Sequence, residues 1–160
     1  MKQVIYFDTS ALAKWYLPEE QSNEVEKYIQ ENGPVVISDL TVVEMRDLLA
    51  RLRREGNLDP NTEIKVFATF EEDIRQKFLI CHPLSDGVAR GAVNLLSVLC
   101  DLPLRMIDAM HLAMAKEIQT DVLATADPVM ANAGEKLGLS VVRFSGPEIQ
   151  SPQISKKGVT

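Results

Sequence analysis

The sequence has few cysteines, no long apolar run and fewer basic than acidic residues. Cysteine occurs twice among 160 residues. Cys81 and Cys100 can build neither a disulfide framework nor a four-thiolate metal site, and they share no Cys-x-x-Cys spacing. They read as two buried small hydrophobes in a reducing compartment. No apolar run approaches the ~20 residues that cross a membrane. The apolar run near the N-terminus, Val4 to Phe7, is too short for the core of a signal peptide. These absences predict a cytoplasmic protein with no membrane partner. Against 17 basic residues stand 23 acidic ones, a net charge of −6. That balance argues against non-specific binding to nucleic acid, which usually needs a basic footprint.

What is present describes an ordinary globular domain. The chain is 46% hydrophobic and 25% charged, a composition that folds and does not stay disordered. Its length suits one domain with a self-sufficient core. A single domain is expected over residues 1–150. Residues 151–160 carry no apolar periodicity and are expected to form a flexible tail.

Short β-branched runs alternate with longer helical patterns, without repeats. This predicts α/β architecture, a central, mostly parallel sheet of four or five strands flanked by helices. Strands are expected at 4–7, 35–37, 78–81, 121–124 and 140–144. Helices are expected from Ser10 to just before Pro18, over 20–31, from Ser38 to near Gly56, from Asp59-Pro60 through the late seventies, from Ser85-Asp86 to about Cys100, over 104–119 and from Asp127-Pro128 to Gly138. Ser38 is expected to cap its helix.

Four acids stand in suggestive places. Asp8 follows the first strand directly and Asp127 follows the fourth after Thr125 and Ala126. Ligand sites of open parallel sheets lie beyond the carboxyl ends of strands, so these two carboxylates can converge. Each also suits helix capping, and the two roles coexist. Glu44 lies at the flank of a helix whose core face is Met45, Leu48, Leu49 and Leu52. From this helix alone it reads as a solvated glutamate at the rim. Arg51 shares its stripe, roughly 10 Å along the axis. Asp108 sits in the segment Met106 to Ala115, where every residue but Asp108 and His111 is apolar. A helix apolar nearly all round is buried, and a buried carboxylate needs a hydrogen bond, a pair or a metal. Capping explains Asp108 if the helix begins there, and fails to if it begins near Leu104. His111 reads as a hydrogen-bonded core residue rather than a ligand. Carboxylates without thiolates suit Mg²⁺ or Mn²⁺ better than zinc. The residues by themselves reach an acidic metal pocket at the carboxyl edge of the sheet.

The motifs carry a resemblance. Tyr6-Phe7-Asp8-Thr9-Ser10-Ala11-Leu12 resembles the opening of PIN-domain ribonucleases. Ser38 to Glu44 resembles their second acidic block, Asp108-Ala109-Met110-His111-Leu112-Ala113 the third, and Leu123-Ala124-Thr125-Ala126-Asp127 the fourth. Order and spacing agree from about residue 3 to 144, and the chain looks most like the VapC-type toxins of toxin–antitoxin pairs. Thr9 and Met45-Arg46 depart from the commonest family residues. The resemblance implies that Asp8, Glu44, Asp108 and Asp127 are catalytic and hold one or two Mg²⁺ or Mn²⁺ ions. It places Ser10 and Thr125 as hydroxyls supporting a metal ligand or its water. It implies hydrolysis of RNA that leaves a 5′-phosphate, an antitoxin partner and a homodimer. Arg46, Arg51 and Arg105 are the candidate RNA contacts. Setting the four metal-site acids aside leaves 19 against 17 basic residues, close to balance, so the charge no longer excludes RNA.

Two other readings start from the same residues. A strand followed by Asp-Thr-Ser resembles aspartate-based phosphatases and phosphotransfer proteins, but those want a second acid where Ser10 stands. A non-catalytic binding module on the same fold would have no need of all four acids.

Overall fold

A computed structural model describes residues 2–145. The described residues alternate five strands with seven helices: β1 (Ile5–Phe7), α1 (Thr9–Tyr16), α2 (Ser22–Asn32), β2 (Val35–Ser38), α3 (Asp39–Arg54), α4 (Pro60–Arg75), β3 (Leu79–His82), α5 (Val88–Val98), α6 (Met106–Glu117), β4 (Val122–Thr125), α7 (Pro128–Lys136) and β5 (Ser140–Arg143). All strand pairs are parallel, in the order β3-β2-β1-β4-β5. The expected mostly parallel sheet is therefore wholly parallel, with five strands. The expected tail at 151–160 lies outside the described residues. No helix among the described residues is long and apolar enough to cross a membrane.

Side chains alternate across a strand, and the core divides accordingly. Ile5, Phe7, Val35, Ile37, Val122 and Ala124 face one layer with α1, α2 and α4. Tyr6, Val36 and Leu123 face the other, with α5, α6 and α7. Gly134 lets α7 lie close on the sheet, because a Cβ there would stand 2.8 Å from a methyl of Leu123. Leu112 is fully buried between α6 and the sheet. Replacing it by alanine is expected to destabilise the protein by about 2–5 kcal/mol, read as a lower midpoint in thermal unfolding. An unchanged melt would mean that α6 does not contribute its apolar face to the core.

Local capping signals held at three helix starts and failed at two. Asp8, Asp59 and Asp127 each cap a helix, accepting from Ala11, Thr62 and Val129 main-chain N–H groups. Ser38 occupies the cap position of α3 but makes no capping bond. Its hydroxyl turns inward to the Tyr6 hydroxyl at 2.8 Å. The helix expected from Ser85-Asp86 begins later, at Val88 after Gly87, and ends at Val98 rather than Cys100. The Ser85 hydroxyl instead donates to Glu117. The cysteines are not both buried either. Cys100 is exposed, and Cys81 is half-buried with its thiol 3.5 Å from Asp39.

Candidate functional site

The chain order β1, β2, β3 runs to one side of the sheet and β4, β5 to the other. β1 and β4 are hydrogen-bonded neighbours at the reversal. Open parallel sheets bind ligands outside the carboxyl ends of the strands at such a switch point. There the structure carries a cleft of about 590 Å³, lined by Thr9, Ser10, Lys14, Glu44, Arg51 and Arg105 among others.

Asp8 leaves β1 into this edge and is 4% exposed. Its main-chain N–H stays in the sheet, donating to Ala124 at 3.1 Å. One carboxylate oxygen accepts from the Ser10 hydroxyl at 2.7 Å and the Ala11 N–H at 3.0 Å. The other accepts from the Thr125 hydroxyl. Burial pushes this carboxyl above its usual range, against the positive influence of His111 and the bonds from Thr125, Ser10 and Ala11. Desolvation wins because every direct partner is a neutral donor.

Thr125 ties Asp8 to Asp127, since its hydroxyl oxygen also accepts the Asp127 N–H at 3.0 Å. Ser10 closes the same junction by accepting the Ala126 N–H at 3.0 Å. Asp127 spends one oxygen on capping, accepting from Val129 at 2.8 Å. Its other oxygen lies 3.8 Å from the Arg105 guanidinium. Asp108, 5% exposed, lies in the first turn of α6 and accepts the Arg105 main-chain N–H at 3.3 Å. The helix starts between the two expected positions, so capping accounts for part of Asp108 only. The Arg105 side chain returns to the same carboxylate at 3.3 Å. Arg105 thus spans two of the four acids while remaining 71% exposed at its side chain. Asp108 foremost, then Asp127 and Glu44, hold it firmly protonated.

Glu44 is no solvated rim residue. Its Oε1 accepts from Thr9 at 2.7 Å and pairs with His111 Nε2. Burial pushes the carboxyl up, but His111, Thr9 and Arg105 together bring it below its usual range. His111 is 2% exposed, as expected of a core histidine. Sequence reading missed that its partner is Glu44, and that Thr9 shares that bond. It also missed Lys14. Four residues after Ser10 on α1, Lys14 lines the cleft, held by the Glu20 carbonyl at 2.8 Å and Glu19 at 3.5 Å. The i, i+4 spacing from Ser10 was the available signal.

Arg51 lines the cleft with Glu44, as their shared stripe predicts. Arg46 is directed elsewhere. It pairs with the buried Glu63 of α4, which also binds Arg53 at 3.2 Å, and it stacks 4.7 Å from the Phe67 ring centre.

Asp8, Asp127 and Asp108 are thus linked through Thr125 and Arg105, and Arg105 lines the cleft with Glu44. Among the described residues no three His, Cys, Asp or Glu side chains already close on one point as a ligand set. The donor chemistry nevertheless suits a hard cation, with carboxylate and hydroxyl oxygens and no thiolate. Asp8 in particular is a buried carboxylate without a direct cationic partner, the group whose burial a bound ion would offset.

Comparison with known proteins agrees with this architecture. The sequence profile of the PIN domain matches residues 5–136. Ribonuclease VapC46 of Mycobacterium tuberculosis is 28% identical over 144 residues, across 86% of this chain and 95% of that protein. The crystal structure of Mycobacterium tuberculosis VapC20, a sarcin–ricin loop cleaving toxin, superposes with a TM-score of 0.64 at 16% identity, covering 81% of this chain and 95% of that one. DNA-bound VapBC of Salmonella typhimurium superposes with a TM-score of 0.62 at 15% identity, covering 89% and 98%.

Proposed function

This chain belongs to the PIN-domain family, and from that premise we propose that it is a metal-dependent endoribonuclease, the toxin of a toxin–antitoxin pair. One observation carries the reading: Arg105 bridges Asp108 and Asp127, Thr125 joins Asp127 to Asp8, and Arg105 and Glu44 line one cleft beside the β1–β4 switch point. The match to a VapC ribonuclease over most of both chains supports the substrate class.

In this reading the four carboxylates hold one or two Mg²⁺ or Mn²⁺ ions. Such an ion supplies a water of lowered pKa and neutralises charge on the phosphate. Ser10 and Thr125 keep the Asp8 oxygens aimed by donating to both of them. Lys14, Arg51 and Arg105 line the cleft and would meet the RNA phosphates. Arg46, engaged with Glu63, is not among these contacts. Three cations beside acidic groups give a weak non-specific affinity, so recognition rests on the metal site and on RNA shape. The partners proposed with it are an antitoxin protein, for which the cleft's acids favour a basic segment, and a second copy of the chain. The site of action proposed with these partners is the cytoplasm.

Replacing Asp108 by asparagine keeps its shape and its capping oxygen but removes the charge. Purified wild type is expected to cleave RNA with Mg²⁺ or Mn²⁺, and Asp108→Asn to lose that cleavage. Equal rates for the two proteins would refute the assignment.

A further inference from the structure

A line of buried polar groups runs beneath the cleft and ends on Glu44. It starts at the Ser38 hydroxyl, 2.8 Å from the Tyr6 hydroxyl. Tyr6 lies 2.6 Å from His111 Nδ1. His111 Nε2 meets Glu44 Oε1, which Thr9 also contacts. Ser38 and Tyr6 are fully buried and His111 nearly so. These groups come from β2, β1 and α6, and at the end of the line His111 of α6 and Thr9 of α1 meet on one carboxylate oxygen of α3.

The chemistry of the partners orders the line. A carboxylate only accepts, so His111 Nε2 donates to Glu44. On the other side of the ring Nδ1 bonds the Tyr6 hydroxyl, which bonds Ser38 in turn. Every group in the line has its partner. Both ring nitrogens of His111 are thereby engaged, which removes it as a metal ligand or a general base. Glu44 Oε1 is saturated by two donors, while Glu44 itself lines the cleft.

We infer that Tyr6 and His111 are positioning residues, which hold Glu44 Oε1 from below so that Oε2 is the oxygen presented to a divalent cation. This rests on the reading of the cleft as a metal site. Partners that orient a metal-binding side chain in this way commonly change affinity about 10- to 100-fold when removed. The line also accounts for Thr9, which departs from the commonest family residue yet supplies the second donor to Oε1.

The test is Mn²⁺ binding, followed by the electron paramagnetic resonance signal of free Mn²⁺ and by calorimetry. Tyr6→Phe removes one hydroxyl and little volume, and it is expected to weaken Mn²⁺ binding about 10-fold. His111→Ala should weaken it more, and His111→Gln, which keeps a donor toward Glu44, should restore part of the loss. Tyr16→Phe is the control. Its hydroxyl bonds Asp73 at 2.5 Å away from the cleft, and its loss should leave Mn²⁺ affinity unchanged. In RNA cleavage, the Tyr6→Phe deficit should shrink as Mn²⁺ is raised, with KM for RNA unaltered. Wild-type affinity in both Tyr6→Phe and His111→Ala would overturn the inference and leave the metal site standing. Failure of the wild type to bind Mn²⁺ would overturn the metal site itself.

Discussion

Asp8→Asn will cleave RNA about 10²- to 10³-fold more slowly than the wild type, the usual effect of removing one preorganised charge from a reaction centre. Its metal-free form will also melt at a higher temperature at pH 7. Both effects come from the same carboxylate. Asp8 is buried among neutral donors, and burial raises its pKa. A carboxyl whose folded pKa exceeds its unfolded value, about 3.9, favours the folded state only while protonated. Its contribution is complete below the unfolded pKa and is lost as pH rises through the folded one. At any pH above its folded pKa the ionised group therefore opposes folding. Asparagine removes the charge and keeps an oxygen to accept from Ser10 and Ala11. Its amide can donate to the Thr125 hydroxyl oxygen. The two proteins should melt alike in strong acid and diverge as pH rises, measured by thermal unfolding with a chelator present. A lower melting temperature for the variant at pH 7 would show that the ionised carboxylate is stabilising, contrary to its burial. Glu44, whose pKa is lowered, behaves in the opposite sense. Its stabilisation is present above its unfolded pKa and is lost as pH falls through its folded value.

Chelation of divalent ions will abolish cleavage, and Mg²⁺ or Mn²⁺ will restore it. Lys14, Arg51 and Arg105 can attract phosphates, but none generates a hydroxide near neutral pH as a metal-bound water does. Metal binding should also weaken on acidification, because a ligand carboxylate must lose its proton to bind. Asp8 holds its proton above the ordinary carboxylate range, so the weakening should begin at milder acidity than for exposed carboxylates. Once Asp8 is largely protonated, affinity should fall about tenfold per pH unit. Calorimetric Mn²⁺ titrations between neutral and mildly acidic pH would measure this, together with the protons released on binding. Affinity that stayed flat over that range would remove Asp8 from the ligand set, and full cleavage in excess chelator would remove the metal.

The places where local reading and structure part are informative about their physics. Ser38 has the right residue type for a cap, yet its hydroxyl serves Tyr6. Both hydroxyls are fully buried, and a buried tyrosine hydroxyl needs a partner. Arg46 and Arg51 lie five residues apart on one helix, but only Arg51 lines the cleft, because Glu63 of α4 packs beneath Arg46. Asp8 and Asp127 posed a choice between capping and function that the structure does not make. One oxygen caps, and the remaining one faces other partners.

The amino-acid order alone determined the alternating strands and helices, the two-sided core and the four acids. Each of these is written in local periodicity or in the residue that ends a strand. Tertiary structure alone decided what each acid touches: Thr125 on Asp8, Arg105 across Asp108 and Asp127, and His111 beneath Glu44. Those contacts join residues up to 117 positions apart. They depend on strand order and on how closely helices approach the sheet, which no short stretch of sequence encodes.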